Sequence, residues 1–188
     1  MTTRIDTAAC EPHPTAPRDA RDTDRTMPLA TVRTLAAGAH VGDLVFIRVP
    51  AGAPDATAGS AGTWANRFGI VVDTSGDEPL IAEPTVFAWT KLTPLSRFVA
   101  RPDGGRIALA RRVAAASADA QRRIHALAEQ RIDALLGSRF DLRARRGFCA
   151  QYVTDVLGAG HAATPSALLR GGTLALEFDG IVFDPRHP

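Results

Sequence analysis

The chain has 188 residues, 45% of them hydrophobic, with 22 basic and 20 acidic side chains giving a formal net charge of +2. That length suits one globular domain, and a charge so nearly balanced singles out no partner by bulk electrostatics. Acidic residues interrupt the arginine clusters (Arg111, Arg112, Arg122 and Arg123; Arg139, Arg143, Arg145 and Arg146) and no nucleic-acid motif accompanies them, so no nucleic-acid partner is expected. No apolar run reaches membrane-spanning length and the N-terminus lacks the apolar centre of a signal peptide, which makes the cytoplasm the expected location. Only Cys10 and Cys149 are present, so a disulfide framework is not expected and a reducing compartment fits. The oligomeric state is not readable.

Residues 1–27 are rich in Thr, Arg, Asp and Pro with almost no large apolar side chains, and read as a disordered leader ahead of a folded unit over residues 28–188. Gly42-Asp43 opens the dense β-branched and aromatic run Leu44 to Val49, a buried strand. Residues 50–63 have loop composition, and Ser60 lacks the preceding strand and glycine that a nucleophile elbow needs. Phe68 to Asp73 is a second strand, and the turn Thr74 to Asp77 pairs it with a third, Leu80 to Glu83. Residues 84–105 read as an irregular segment packed on the sheet through Phe87, Trp89, Leu92, Leu95 and Phe98. Ile107 to Leu109 is a further strand.

Ser117 is an N-cap for a long helix whose apolar stripe includes Ile124, Leu127, Ile132 and Leu135, stopped at Gly137. His125 lacks a second ligand four residues on and reads as a helix-surface residue. Neither it nor Cys10 with His13 makes a metal site, and Gly158 to Ala163 spells a dinucleotide fingerprint but follows a helix where a strand is required. No cofactor is therefore expected. Thr164-Pro165-Ser166 starts another helix, and Ala175 to Phe183 forms a closing strand interrupted at Asp179-Gly180.

The chemistry-bearing stretch is Arg145 to Leu157. Gly147 breaks what precedes it; Cys149, Val153, Val156 and Leu157 fall at helical spacing, and Gly158 supplies the stop, so the sulfur sits in a helical first turn. The positive helix end and the neighbouring Arg145 and Arg146 favour thiolate over thiol, against the alternative of a buried cysteine acting as a small hydrophobe.

Several ordered stretches resemble the YiiX/YebB-like branch of the NlpC/P60 superfamily, the circularly permuted papain-like cysteine hydrolases. They are Gly42 to Phe46, Asn66 to Val72, Ile81-Ala82-Glu83, and Phe140-Asp141-Leu142 followed by Phe148-Cys149. The resemblance implies an α+β fold, a mainly antiparallel sheet packed against helices that include the nucleophile helix. It also implies acyl transfer from an amide, such as a peptidoglycan-type peptide, or from a lipid ester or thioester. In that scheme Cys149 is the nucleophile, Glu83 the orienting acid, and Arg67 stands where the family carries its catalytic histidine. A guanidinium stays charged and cannot return a proton to the leaving group, so turnover is expected to be impaired. The alternative is an inactive descendant whose cleft binds an acylated or peptide ligand, with Arg67 pairing with its carboxylate. His40-Val41-Gly42 spells the family's His-x-Gly at the wrong strand, about 20 Å from Arg67 if the two strands are antiparallel neighbours. His161 is nearer to Cys149 in sequence. The segment from Leu157 to Ser166 is shorter than the resemblance implies.

Overall fold

The computed structural model describes residues 29–49, 64–85, 88–100, 106–137, 145–160 and 164–181. The leader, Ser60, Phe140 to Leu142 and His161 lie outside them. The described chain runs α1 (Leu29–Gly38), β1 (Leu44–Ile47), β2 (Arg67–Asp73), β3 (Leu80–Pro84), β4 (Thr90–Pro94), α2 (Leu95–Val99), β5 (Arg106–Arg112), α3 (Ala118–Gly137), α4 (Phe148–Asp155), α5 (Pro165–Arg170) and β6 (Leu174–Ile181). The strands form one antiparallel sheet in the order β4-β3-β2-β1-β5-β6, the α+β arrangement expected.

Helices cover both faces of this sheet, which is why β1 is buried at all four residues instead of at alternate ones. Leu44 and Phe46 face a core shared with Phe68, Ile70, Ala82, α4 and the buried Ile132 and Leu135 of α3. Val45 and Ile47 face a second core, closed by Val32 and Leu35 of α1 and by Leu95, Phe98 and Val99 of α2. Gly69 is needed for this second packing: a Cβ there would lie 2.3 Å from Ile81 Cγ2 and 3.3 Å from the Phe98 ring.

Several boundaries differ from the sequence reading for physical reasons. β1 ends at Ile47, and beyond it the side-chain amide of Asn66 replaces a strand partner, accepting from Val49 N at 2.8 Å and donating to Val49 O at 2.9 Å. The stretch expected to be irregular contains β4 and α2. β4 hides because its alternation, Thr90-Lys91-Leu92-Thr93, carries one large apolar residue, although it pairs with β3 throughout. β6 runs through Asp179-Gly180 without interruption, since Gly180 sits opposite Ile107 and Asp179 is held at the surface by Arg106. Ser117 caps α3 by accepting from Ala120 N at 3.2 Å, and Thr164 caps α5 by accepting from Ala167 N at 3.2 Å.

Candidate functional site

Arg67 opens β2 and Glu83 lies within β3. Arg67 Nη2 donates to Glu83 Oε2 at 2.6 Å, with the two side chains 4% and 0% exposed. The other carboxylate oxygen accepts from the Thr93 hydroxyl, and Lys91 Nζ stands 3.8 Å from it. Burying a carboxylate is costly unless it is paired and hydrogen-bonded, and here both oxygens are engaged.

Cys149 sits in the first turn of α4 behind Gly147, whose φ of 77° makes the left-handed bend that starts the helix. Gly147 N donates to Ala88 O at 2.7 Å, which ties the helix start to the chain entering β4. At the other end Gly158, with φ of 67°, stops the helix and Ala159 N donates to Val153 O at 3.1 Å. The sulfur therefore lies where the sequence places it. Among the described residues its hydrogen-bond partners are the Thr90 hydroxyl and the Ala82 carbonyl oxygen, each at 3.7 Å.

The expected thiolate is not what this environment favours. Burial pushes the Cys149 thiol up to about 12; the Thr90 hydroxyl and the backbone N–H pull it down, and the charge of Glu83 pushes it further up. Loss of water around the sulfur outweighs the helix terminus because the whole first turn is packed: Phe148, Cys149, Tyr152 and Val153 are all buried.

Strand alternation then decides how the three residues stand relative to one another. Phe68 and Ala82 share the core of α4 with Cys149, whereas Ile81 faces the core of α2, as does the open side of Gly69. By the period of two, Arg67 and Glu83 follow Gly69 and Ile81, and the hydroxyl of Thr93, directly opposite Ile81, reaches Glu83 on that same side. Thr90, one residue out of phase with Lys91 and Thr93, points to the sulfur. Arg67 and Glu83 are brought together, and Cys149 lies across the same strands on the other face, near enough for the carboxylate's charge to act on it.

Of the described histidines, His40 stands seven residues before Ile47, the direct partner of Arg67 across the antiparallel β1/β2 pair. His40 accordingly lies in the turn before Leu44, at the opposite end of β1 from Arg67. His125 is on the exposed side of α3, 3.2 Å from Glu129. Thr90 and Thr93 were not singled out in the sequence. Their signal was the threonine pair three apart, which an alternating strand sends to opposite faces.

Residues 38–170 match the family described as permuted papain-like amidase enzyme, YaeF/YiiX, C92 family. Among curated proteins none matches the chain.

Proposed function

The chain belongs to the permuted papain-like amidase family, and from that membership and the site's geometry we propose that it keeps the fold as a scaffold for binding a peptide or acylated ligand, with little or no turnover at Cys149. The carrying observation is the surroundings of the sulfur, a threonine hydroxyl and a backbone carbonyl, with no proton-accepting side chain among its described hydrogen-bond partners. Cysteine acyl transfer needs a base to take the thiol proton and an acid to return it to the leaving group. Arg67 offers neither, being a fixed charge donating to Glu83. The same bond argues against Arg67 as the receptor of a ligand carboxylate.

A second reading, an impaired cysteine hydrolase acting on amides or on lipid esters or thioesters through a Cys149 acyl-enzyme, is favoured by one feature: the thiol is held in the first turn of a helix, where N–H groups suited to an oxyanion converge. We further propose that the chain stands with the YiiX/YebB-like branch of the NlpC/P60 superfamily, a proposal supported by the order of Gly42-Asp43, Asn66 to Val72, Glu83 and Phe148-Cys149, and that it works in the cytoplasm. Wild type, Cys149→Ala and Arg67→His are compared on activated esters and on peptide amides, with intact-mass detection of an acylated cysteine. The binding reading expects no amide cleavage above Cys149→Ala, and no gain in Arg67→His because an imidazole there faces away from α4. Amide cleavage by wild type that disappears in Cys149→Ala establishes the hydrolase instead.

A further inference from the structure

A pocket of about 280 Å³ opens at the end of the sheet remote from Arg67 and Glu83, where the α1/β1 turn, the end of β5, α3 and α4 meet. Its apolar wall comes from Ile124 and Ala128 of α3 and from Val156, the residue that caps the end of α4, and its polar groups are basic or neutral except for Asp43. Asp43 is fully used: it accepts from Arg111 Nε at 2.9 Å, from Arg111 Nη2 at 2.8 Å and from His40 N at 2.8 Å. Arg111 is thereby neutralised, with Glu177 a further 3.7 Å from its Nη1.

Arg112 is different. Its described partner is a neutral amide, Gln121 Oε1 at 2.5 Å, and among the described residues no carboxylate pairs with it. Beside it the Tyr152 hydroxyl has, among the described residues, only a 3.5 Å contact with Gly42 O, a bond near the limit of what counts as one. Burial pushes that phenol up to about 12, so it remains a donor at neutral pH. Among the described residues the pocket thus holds a guanidinium without a carboxylate partner and an under-used hydroxyl against an apolar wall, with His40 and His125 at its rim.

We propose that this pocket binds an oxyanion, carboxylate or phosphate, carried on a small apolar body, with Arg112 as its charge partner and Tyr152 as its hydrogen-bond donor. A planar guanidinium fork matches either oxyanion, and the volume, just under the usual range of ligand pockets, limits the occupant to a small molecule. The site is independent of turnover at Cys149. Calorimetric titration of the full chain at low salt uses phenyl phosphate, benzoate, inorganic phosphate and uncharged benzyl alcohol. Phenyl phosphate, benzoate or both are expected to saturate, with benzyl alcohol and inorganic phosphate each at least about tenfold weaker. Arg112→Gln weakens the bound anion about tenfold, Arg112→Lys less, and Tyr152→Phe a few-fold, at unchanged secondary structure by circular dichroism. Absence of saturable binding of both organic anions up to about 10 mM overturns the proposal. So does equal affinity of wild type and a folded Arg112→Gln, and inorganic phosphate binding as tightly as phenyl phosphate overturns the apolar body.

Discussion

Arg67 donates to Glu83 at 2.6 Å across β2 and β3, both side chains buried, on the face of the sheet that strand alternation turns away from Cys149. A buried pair of this kind stabilises mainly in the sense that breaking it is expensive. Arg67→Met is expected to cost about 3–5 kcal/mol, because it removes the charge partner of a buried carboxylate whose other described partners are Thr93 and the largely exposed Lys91. Arg67→Met/Glu83→Met should be more stable than the sum of the single losses. Urea unfolding of the four proteins in a double-mutant cycle measures the coupling, and additive losses would mean that the two groups do not depend on each other.

Gly69 supplies a second stability prediction, from space alone. Its missing Cβ leaves room for Ile81 Cγ2, which would otherwise lie 2.3 Å away, with the Phe98 ring close behind. Gly69→Ala is therefore expected to destabilise by about 1–3 kcal/mol. Adding Ile81→Ala removes the atom in the way, so the double variant should be more stable than additivity predicts. A Gly69→Ala protein that melts with wild type would show that β2 and β3 shift to absorb the methyl.

How much of this was legible in the chain depended on local signals. β1 and β2 announce themselves as β-branched runs, and α4 was bracketed by Gly147 and Gly158, both now seen with positive φ. β4 was not legible because an edge strand reading Thr-Lys-Leu-Thr has too few apolar residues to show its period. The relation of Cys149 to Arg67 and Glu83 was hidden for another reason. Alternation says that Glu83 and Ala82 face opposite ways, but only the packing of α4 on the Ala82 side tells which of them meets the sulfur. The expected thiolate rests on the dipole and nearby arginines, which can be read from sequence, whereas the depth of burial that pushes the thiol the other way cannot.

Burial of two weak acids predicts a pH dependence of stability. Cys149 moves from an ordinary 9.0 to about 12 and Tyr152 from 10.0 to about 12, both chiefly by desolvation. Each is an acid whose folded pKa is raised, so the folded state holds its proton more firmly. The associated stability is complete below the unfolded value and is lost as pH rises toward the folded one. Unfolding free energy should fall above about pH 9, with a slope of up to roughly 1.4 kcal/mol per pH unit per group. Urea titrations between pH 8 and 11 are expected to show a shallower fall in Cys149→Ala from pH 9 upward, and in Tyr152→Phe from pH 10 upward. Parallel curves for wild type and both variants would refute the assignment.

The reactivity of Cys149 tests the same environment kinetically and separates a buried thiol from a poised one. In a Cys10→Ser background the single remaining cysteine is labelled with iodoacetamide, folded and in concentrated urea, across a range of pH. Only thiolate reacts, and moving the thiol from 9.0 to about 12 lowers its thiolate fraction at neutral pH by roughly a thousandfold, before any steric protection at 3% exposure. Labelling of the folded protein should thus be slower than that of the unfolded chain by at least this order, and rise without a plateau through pH 10. Thr90→Val removes the hydroxyl that lowers the thiol's pKa and should slow labelling further, even though the isosteric methyl opens no new path to the sulfur. A labelling rate that levels off below the unfolded cysteine's pKa would mean that the thiolate is stabilised in the folded protein. The hydrolase reading would then regain the nucleophile that this geometry denies it.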